Sequence, residues 1–169
     1  MATATTALHD LTDGYDDDDE DRPLAAYAAL SATFGVTLAA ALAALHASGR
    51  ELPERPRAGD LVLAGIATHK VSRLLAKDRV TSFVRAPFTR YQEPTGHGEL
   101  EEQPRGTGVR LAIGELLVCP YCLAQWIAAS FAVGLVAAPR ATRFVAGIYV
   151  AETLSDVLQL AYRAAEDRA

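Results

Sequence analysis

The sequence predicts an all-α integral membrane helical bundle of about four helices, three long spans plus a shorter one, with a disordered acidic N-terminal tail. Three observations predict it. Residues 116–138 run for 23 positions without a formal charge and residues 24–45 for 22, and a third largely apolar block fills 142–162; about 20 such residues in a helix cross the hydrocarbon layer. The charge is segregated: the chain carries −5, yet residues 1–23 hold eight acids against one base and leave the remainder at +2. Gly and Pro cluster between the apolar blocks, where turns are needed.

Three parts follow from this pattern. Residues 1–22 are a disordered tail, because the run from Asp16 to Asp21 is too charged to pack. Residues 23–59 supply an additional N-terminal membrane helix and a linker. Pro23 suits the helix start, and His46, Gly49 and Arg50 mark its end. An acidic segment precedes this helix where a cleavable signal would be basic. Residues 60–165 form the membrane core. Its first helix is apolar to Thr68 and then cationic, with Lys70, Arg73 and Lys77 on one face; the 61–76 block gives about 24 Å at 1.5 Å per residue, short for a span. A polar loop follows at 79–110. Its first part mixes Phe83 and Phe88 with Arg85 and Arg90, a composition for a membrane surface or for a loop tucked against the bundle.

The next span is interrupted at Pro120. Proline lacks a helix donor and disfavours helical geometry before it, so the spanning helix should begin here, with Cys119 as its cap. Trp126, one turn beyond Cys122, suits an interface anchor. The last helix carries a polar stripe of Tyr149, Glu152, Asp156, Gln159 and Arg163 at spacings of three and four. Charges within a span face a bundle interior or cavity. Lys70 and Arg73 are therefore expected to meet Glu115, Glu152 and Asp156 as structural ion pairs that set helix register, or as a proton or cation relay. With four spans, and with Lys70 and later bases counted with the 79–110 loop, the side holding that loop and both termini carries 11 bases against 5 opposite, which places that side in the cytoplasm. With three spans the split is 13 to 3, and the N-terminus moves outside. Four are preferred, because residues 61–67 are too uniformly apolar for a surface helix.

Cys119-Pro120-Tyr121-Cys122 contains both cysteines of the chain. At a helix N-terminus, the dipole favours a thiolate at Cys119. The tetrapeptide occurs in glutaredoxins, but an apolar span follows it here in place of an alternating strand–helix pattern. Three roles stay open: packing, thiol redox chemistry, and a metal site that Cys119 and Cys122 would share with His69. Zinc is the cofactor such ligands would suit, although a structural site wants four. No phosphate loop, Gly-x-Ser-x-Gly elbow or His-Glu-x-x-His run is present. Nothing points to nucleic acid.

The blocks His-Lys-Val-Ser-Arg-Leu-Leu-Ala-Lys-Asp (69–78), Arg85-Ala86-Pro87-Phe88, Glu115-Leu116-Leu117, and Cys119-Pro120-Tyr121-Cys122 with Trp126 occur in that order. Over about residues 60–160 they resemble small bacterial membrane proteins of domain-of-unknown-function family 1360, some of which carry a sporulation-protein label. Members often have Gly where this chain has Ala124, and Arg where it has Lys70. The resemblance implies an integral, multi-pass protein of the cell membrane and assigns no catalytic residue. The expected role is a non-enzymatic envelope scaffold or assembly factor, with sporulation as a setting. Its partners would be the lipid bilayer and a second copy or another envelope protein. The alternative is a membrane-embedded thiol-redox or metal-binding protein using Cys119 and Cys122.

Overall fold

The computed structural model describes residues 22–168. Apart from Arg22, the acidic tail anticipated at 1–22 lies outside the described residues. The elements are α1 (Leu24–Ala47), α2 (Ala58–Lys77), α3 (Ser82–Arg85), β1 (Thr89–Gly96), β2 (Glu99–Pro104), α4 (Gly108–Val118), α5 (Pro120–Ala137) and α6 (Pro139–Glu166).

The fold is mostly helical but not all-α. Part of the stretch expected as a polar loop folds into an antiparallel hairpin of β1 and β2. Gly96 pairs with Glu99, and His97 and Gly98 form the two-residue turn, with φ of 51° and 82°. Positive φ at both central positions is the geometry that matches the twist of hairpin strands. The register shifts between Tyr91 and Glu93 and again between Pro94 and Gly96. Pro94, which has no N–H to donate, therefore falls beside an irregularity, where strands accept proline.

Proline sets the other boundaries. Pro120 opens α5 at its first turn, with Cys119 in extended geometry as the N-cap. Pro139 opens α6 after a single non-helical residue, Ala138. Gly134 allows this tight α5–α6 connection, because a Cβ there would lie 2.8 Å from Thr142 Oγ1.

Side-chain contacts give the helix directions. Arg143 grips Asp60 through two bonds of 2.7 Å near the starts of α6 and α2. Lys70 reaches Asp156 further along both helices at 2.6 Å. So α2 and α6 run parallel, with α5 antiparallel to both. Arg50, just past α1, donates to the Val136 carbonyl at 3.3 Å near the end of α5. Near the opposite end of the trunk, Arg163 of α6 lies 3.2 Å from His97 at the hairpin tip. The hairpin, the start of α1 and the end of α6 therefore share one pole. The 48–57 linker and the α5–α6 turn form the other.

Helices α1, α5 and α6 are long and apolar enough to cross a membrane, and only 6% of the apolar window of each is buried within the chain. Such uncovered apolar surface marks a membrane or protein contact. Helix α2 does not meet that standard of length and apolarity. It packs against α5 and α6 instead, with Ala67, Thr68, Ser72 and Ala76 buried.

Candidate functional site

The densest polar cluster lies at the hairpin pole. Helix α2 ends at Lys77; the Asp78 N–H still reaches the Leu74 carbonyl, and the carbonyls after it lack helical donors. Thr81 Oγ1 donates to the Leu74 carbonyl at 2.6 Å. Arg85 donates through Nη1 to the Leu75 carbonyl at 2.7 Å and to Thr81 Oγ1 at 2.9 Å. Its Nη2 donates to the Asp78 carbonyl at 2.9 Å, and its Nε to Glu102. The side chain of Arg85 is fully buried and that of Glu102 nearly so. A guanidinium at a helix C-terminus is favourably placed against the helix dipole. Here it also joins α2, α3 and β2 in one node.

This burial corrects the expectation that Arg85 touches the membrane surface: its charge is spent inside the protein, on helix carbonyls and a carboxylate. Phe83 is 74% exposed, and Arg90 is also exposed. Phe88 is half-buried, and its carbonyl accepts from the Arg105 N–H at 2.9 Å.

Two further ion pairs fasten the hairpin to α2. Arg73 makes two bonds of 2.7 Å to Glu99, and Lys77 meets Glu101 at 2.9 Å. Arg73 was expected to face the acids of α6. The hairpin, absent from that reading, supplies its partner instead. Lys70 does face α6, at 2.6 Å from Asp156 and 3.3 Å from Glu152. Glu115 joins neither base: it accepts from the Tyr27 hydroxyl at 2.5 Å.

The cysteine pair lies beyond α4. Cys119 Sγ accepts from the Cys122 N–H at 3.1 Å and so caps α5. The two sulfurs are joined in a disulfide. The extended backbone at Cys119 brings the Cα atoms to 5.2 Å, within the usual range for a disulfide. Tyr121 between them is 89% exposed. His69 stands exposed on α2, and among the described residues no three His, Cys, Asp or Glu side chains are grouped to hold a metal. The anticipated third ligand is therefore not at the pair.

Trp126 is half-buried and packs edge-on against Phe34, with centroids 5.1 Å apart. This contact docks α1 on α5. Tyr27 and Phe34 lie seven residues apart, on one face of α1, and together hold that helix against α4 and α5.

Residues 63–162, more than half of the chain, match the family described as Protein of unknown function (DUF1360). The chain belongs to this family. The match starts in α2 and ends in α6, so the DUF1360 region contains the arginine node, the hairpin and the cysteine pair and leaves out α1. The chain is also similar to Sporulation protein YjcA of Bacillus subtilis (strain 168), at 28% identity over 102 residues, which is 59% of this chain and 86% of that protein. No solved structure matches it.

Proposed function

We propose that this DUF1360 protein is a multi-pass protein of the cell membrane that acts as a non-enzymatic envelope scaffold or assembly factor in a sporulation-related setting. The observation that carries this reading is the pairing of uncovered apolar helices with a polar cap tied together by the buried Arg85–Glu102 pair. Lipid would cover the apolar faces of α1, α5 and α6, and the cap would present a fixed surface beside the bilayer. Val80 and Phe83, 82% and 74% exposed, with Arg90 nearby, suit insertion at the headgroup level or contact with an envelope partner. The excess of bases on the cap side favours a cytoplasmic cap. The similarity to a sporulation protein supplies the setting.

Membrane fractionation followed by a carbonate wash tests the membrane placement. The protein should stay with the pellet, and its release would end this reading. A photo-crosslinking residue at Phe83 tests the scaffold role. Discrete protein adducts from sporulating cells support it, and adducts to lipid alone reduce the cap to a membrane anchor.

The disulfide favours a second reading, a thiol–disulfide role for Cys119 and Cys122. A partner's thiolate would attack one sulfur to form a mixed disulfide, and its second thiol would then release the chain. The partner dithiol would be oxidised, and Cys119 and Cys122 would each be left as a thiol. Alkylation trapping in acid-quenched cells separates the readings. A pair that changes redox state with growth phase supports the second, and one fixed in a single state supports the scaffold alone.

A further inference from the structure

A cavity of about 820 Å³ lies at the pole opposite the cap, among α1, the 48–57 linker, α2, α5 and the start of α6. The volume is that of a ligand site, for which about 300–1,000 Å³ is usual. Its walls are apolar: Leu38 and Leu42 from α1, Ala64 and Gly65 from α2, and Val133 and Val136 from α5. A Cβ built on Gly65 would meet nothing within 4 Å, so the middle of α2 is bare on this side. Thr68 also lines the cavity, and its buried hydroxyl has no hydrogen-bond partner among the described residues.

The charged groups are unevenly matched. Asp60 and Arg143 line the cavity but neutralise each other through their two-bond pair. Arg55 and Arg57 also line it; neither comes within salt-bridge distance of an acid among the described residues, although the charge of Arg57 also acts on Asp60. Glu51 is the remaining acid of the lining. A base-rich rim over an apolar chamber fits an anionic head with an apolar tail. Depth agrees with this. Asp60 and Thr68 lie eight residues apart on α2, about 12 Å of helix at 1.5 Å per residue. That is less than half of a hydrocarbon layer about 30 Å thick, so the cavity has the reach of one leaflet.

We propose that this cavity holds one anionic glycerophospholipid drawn from the bilayer, with its phosphate at Arg55 and Arg57 and an acyl chain along Leu38, Leu42, Gly65 and Val133. The inference rests on the membrane reading above. It adds a bound lipid that would bridge α1, outside the DUF1360 match, to the α2–α5 pair within it.

Native mass spectrometry of the full chain, solubilised and stripped of lipid, tests the site with phosphatidylglycerol and phosphatidylcholine of identical acyl chains. Phosphatidylglycerol should be retained about tenfold better, an ordinary margin for charge-assisted contacts. Arg55→Gln with Arg57→Gln should remove that preference, and Gly65→Leu should abolish retention of both lipids. Ala132→Phe, on the α5 wall, fills the same cavity should Gly65→Leu fail to fold. Equal retention of the two lipids by the parent protein would overturn the headgroup assignment. Unchanged retention in the cavity-filling variants would overturn the site. Displacement by inorganic phosphate would make it an anion site with no lipid. Release of the protein by carbonate would remove the membrane reading itself, whereas a membrane protein that retains no phosphatidylglycerol would remove the cavity assignment alone.

Discussion

The cap and the trunk are built on opposite principles. In the cap, an arginine and a glutamate are buried together, and Arg73 and Lys77 reach glutamates of the hairpin. In the trunk, most of the apolar surface of the three long helices faces outward. A buried ion pair is held by its own hydrogen bonds and depends little on what surrounds the molecule. Apolar faces without protein cover depend on the surroundings almost entirely. The cap should thus keep its structure in detergent, while the trunk should respond to lipid and detergent chemistry. Limited proteolysis in a series of detergents tests this, with cleavage in the trunk connections changing more than cleavage within 78–107.

The largest expected loss comes from breaking the node of the cap. Arg85→Met strips four acceptors of their donor and leaves Glu102 buried and unpaired; removing one partner of a buried pair costs about 3–5 kcal/mol. Arg85→Lys should recover little of it, since one ammonium cannot reproduce the planar guanidinium fork. Accumulation of the full-length protein, read beside its melting temperature in detergent, measures both. A parent-like Arg85→Met protein would show that water reaches the node.

Gly114→Ala should come next. A Cβ there would lie 2.7 Å from the Phe88 carbonyl and 3.1 Å from Pro104 Cβ, so α4 would have to move off the hairpin. Overpacking of this kind costs about 1–3 kcal/mol. The same change at Gly35 of α1 meets no atom within 4 Å and should be neutral or mildly stabilising. The two alanine variants, compared by thermal unfolding, contrast a packed cap with an open trunk directly.

A smaller loss is expected at Lys70, which the trunk holds between Glu152 and Asp156. Asp156 remains 46% exposed, so solvent would weaken the pair outside a membrane. Lys70→Ala should lower accumulation less than Arg85→Met, and charge exchange with Asp156 should restore part of it. The loss should also be greater in membranes than in detergent. Equal losses in both would mean that this face of α2 and α6 is wet.

These differences follow what sequence spacing can and cannot carry. Helix starts are local events, so Pro120 after a capping Cys119 and Pro139 after Ala138 are legible from neighbouring residues alone. The facing of Lys70 with Glu152 and Asp156 is legible too, because acids spaced i, i+4 on one helix offer a single base two partners. The hairpin is not, since β2 reads Glu-Leu-Glu-Glu-Gln-Pro and lacks the β-branched residues that mark a strand. The usable signal was the turn Gly96-His97-Gly98. Missing it hid the partners of Arg73, Lys77 and Arg85 together, since all three acids lie on β2. Arg85 then looked like a surface cation among aromatic residues, although its true neighbours are the end of α2 and a glutamate 17 residues away.

Arg73 should give the smallest effect, and it separates the two regions most finely because it sits on the trunk helix but bonds to the cap. Its side chain is 52% exposed, and it makes two bonds to Glu99. Exposed pairs are worth about 0.2–1 kcal/mol, with well-formed two-bond arginine geometry toward the upper end. Arg73→Ala should therefore lower stability by under about 1 kcal/mol, and by less in high salt, where exposed charges are screened. Loss of Glu99 should match it, and the double variant should cost little more than either single change. Asp156→Ala combined with Arg73→Ala should instead be additive, because Asp156 is bonded to Lys70 and not to Arg73. A strong coupling between Arg73 and Asp156 in that cycle would return Arg73 to the trunk and dissolve the boundary drawn here between trunk and cap.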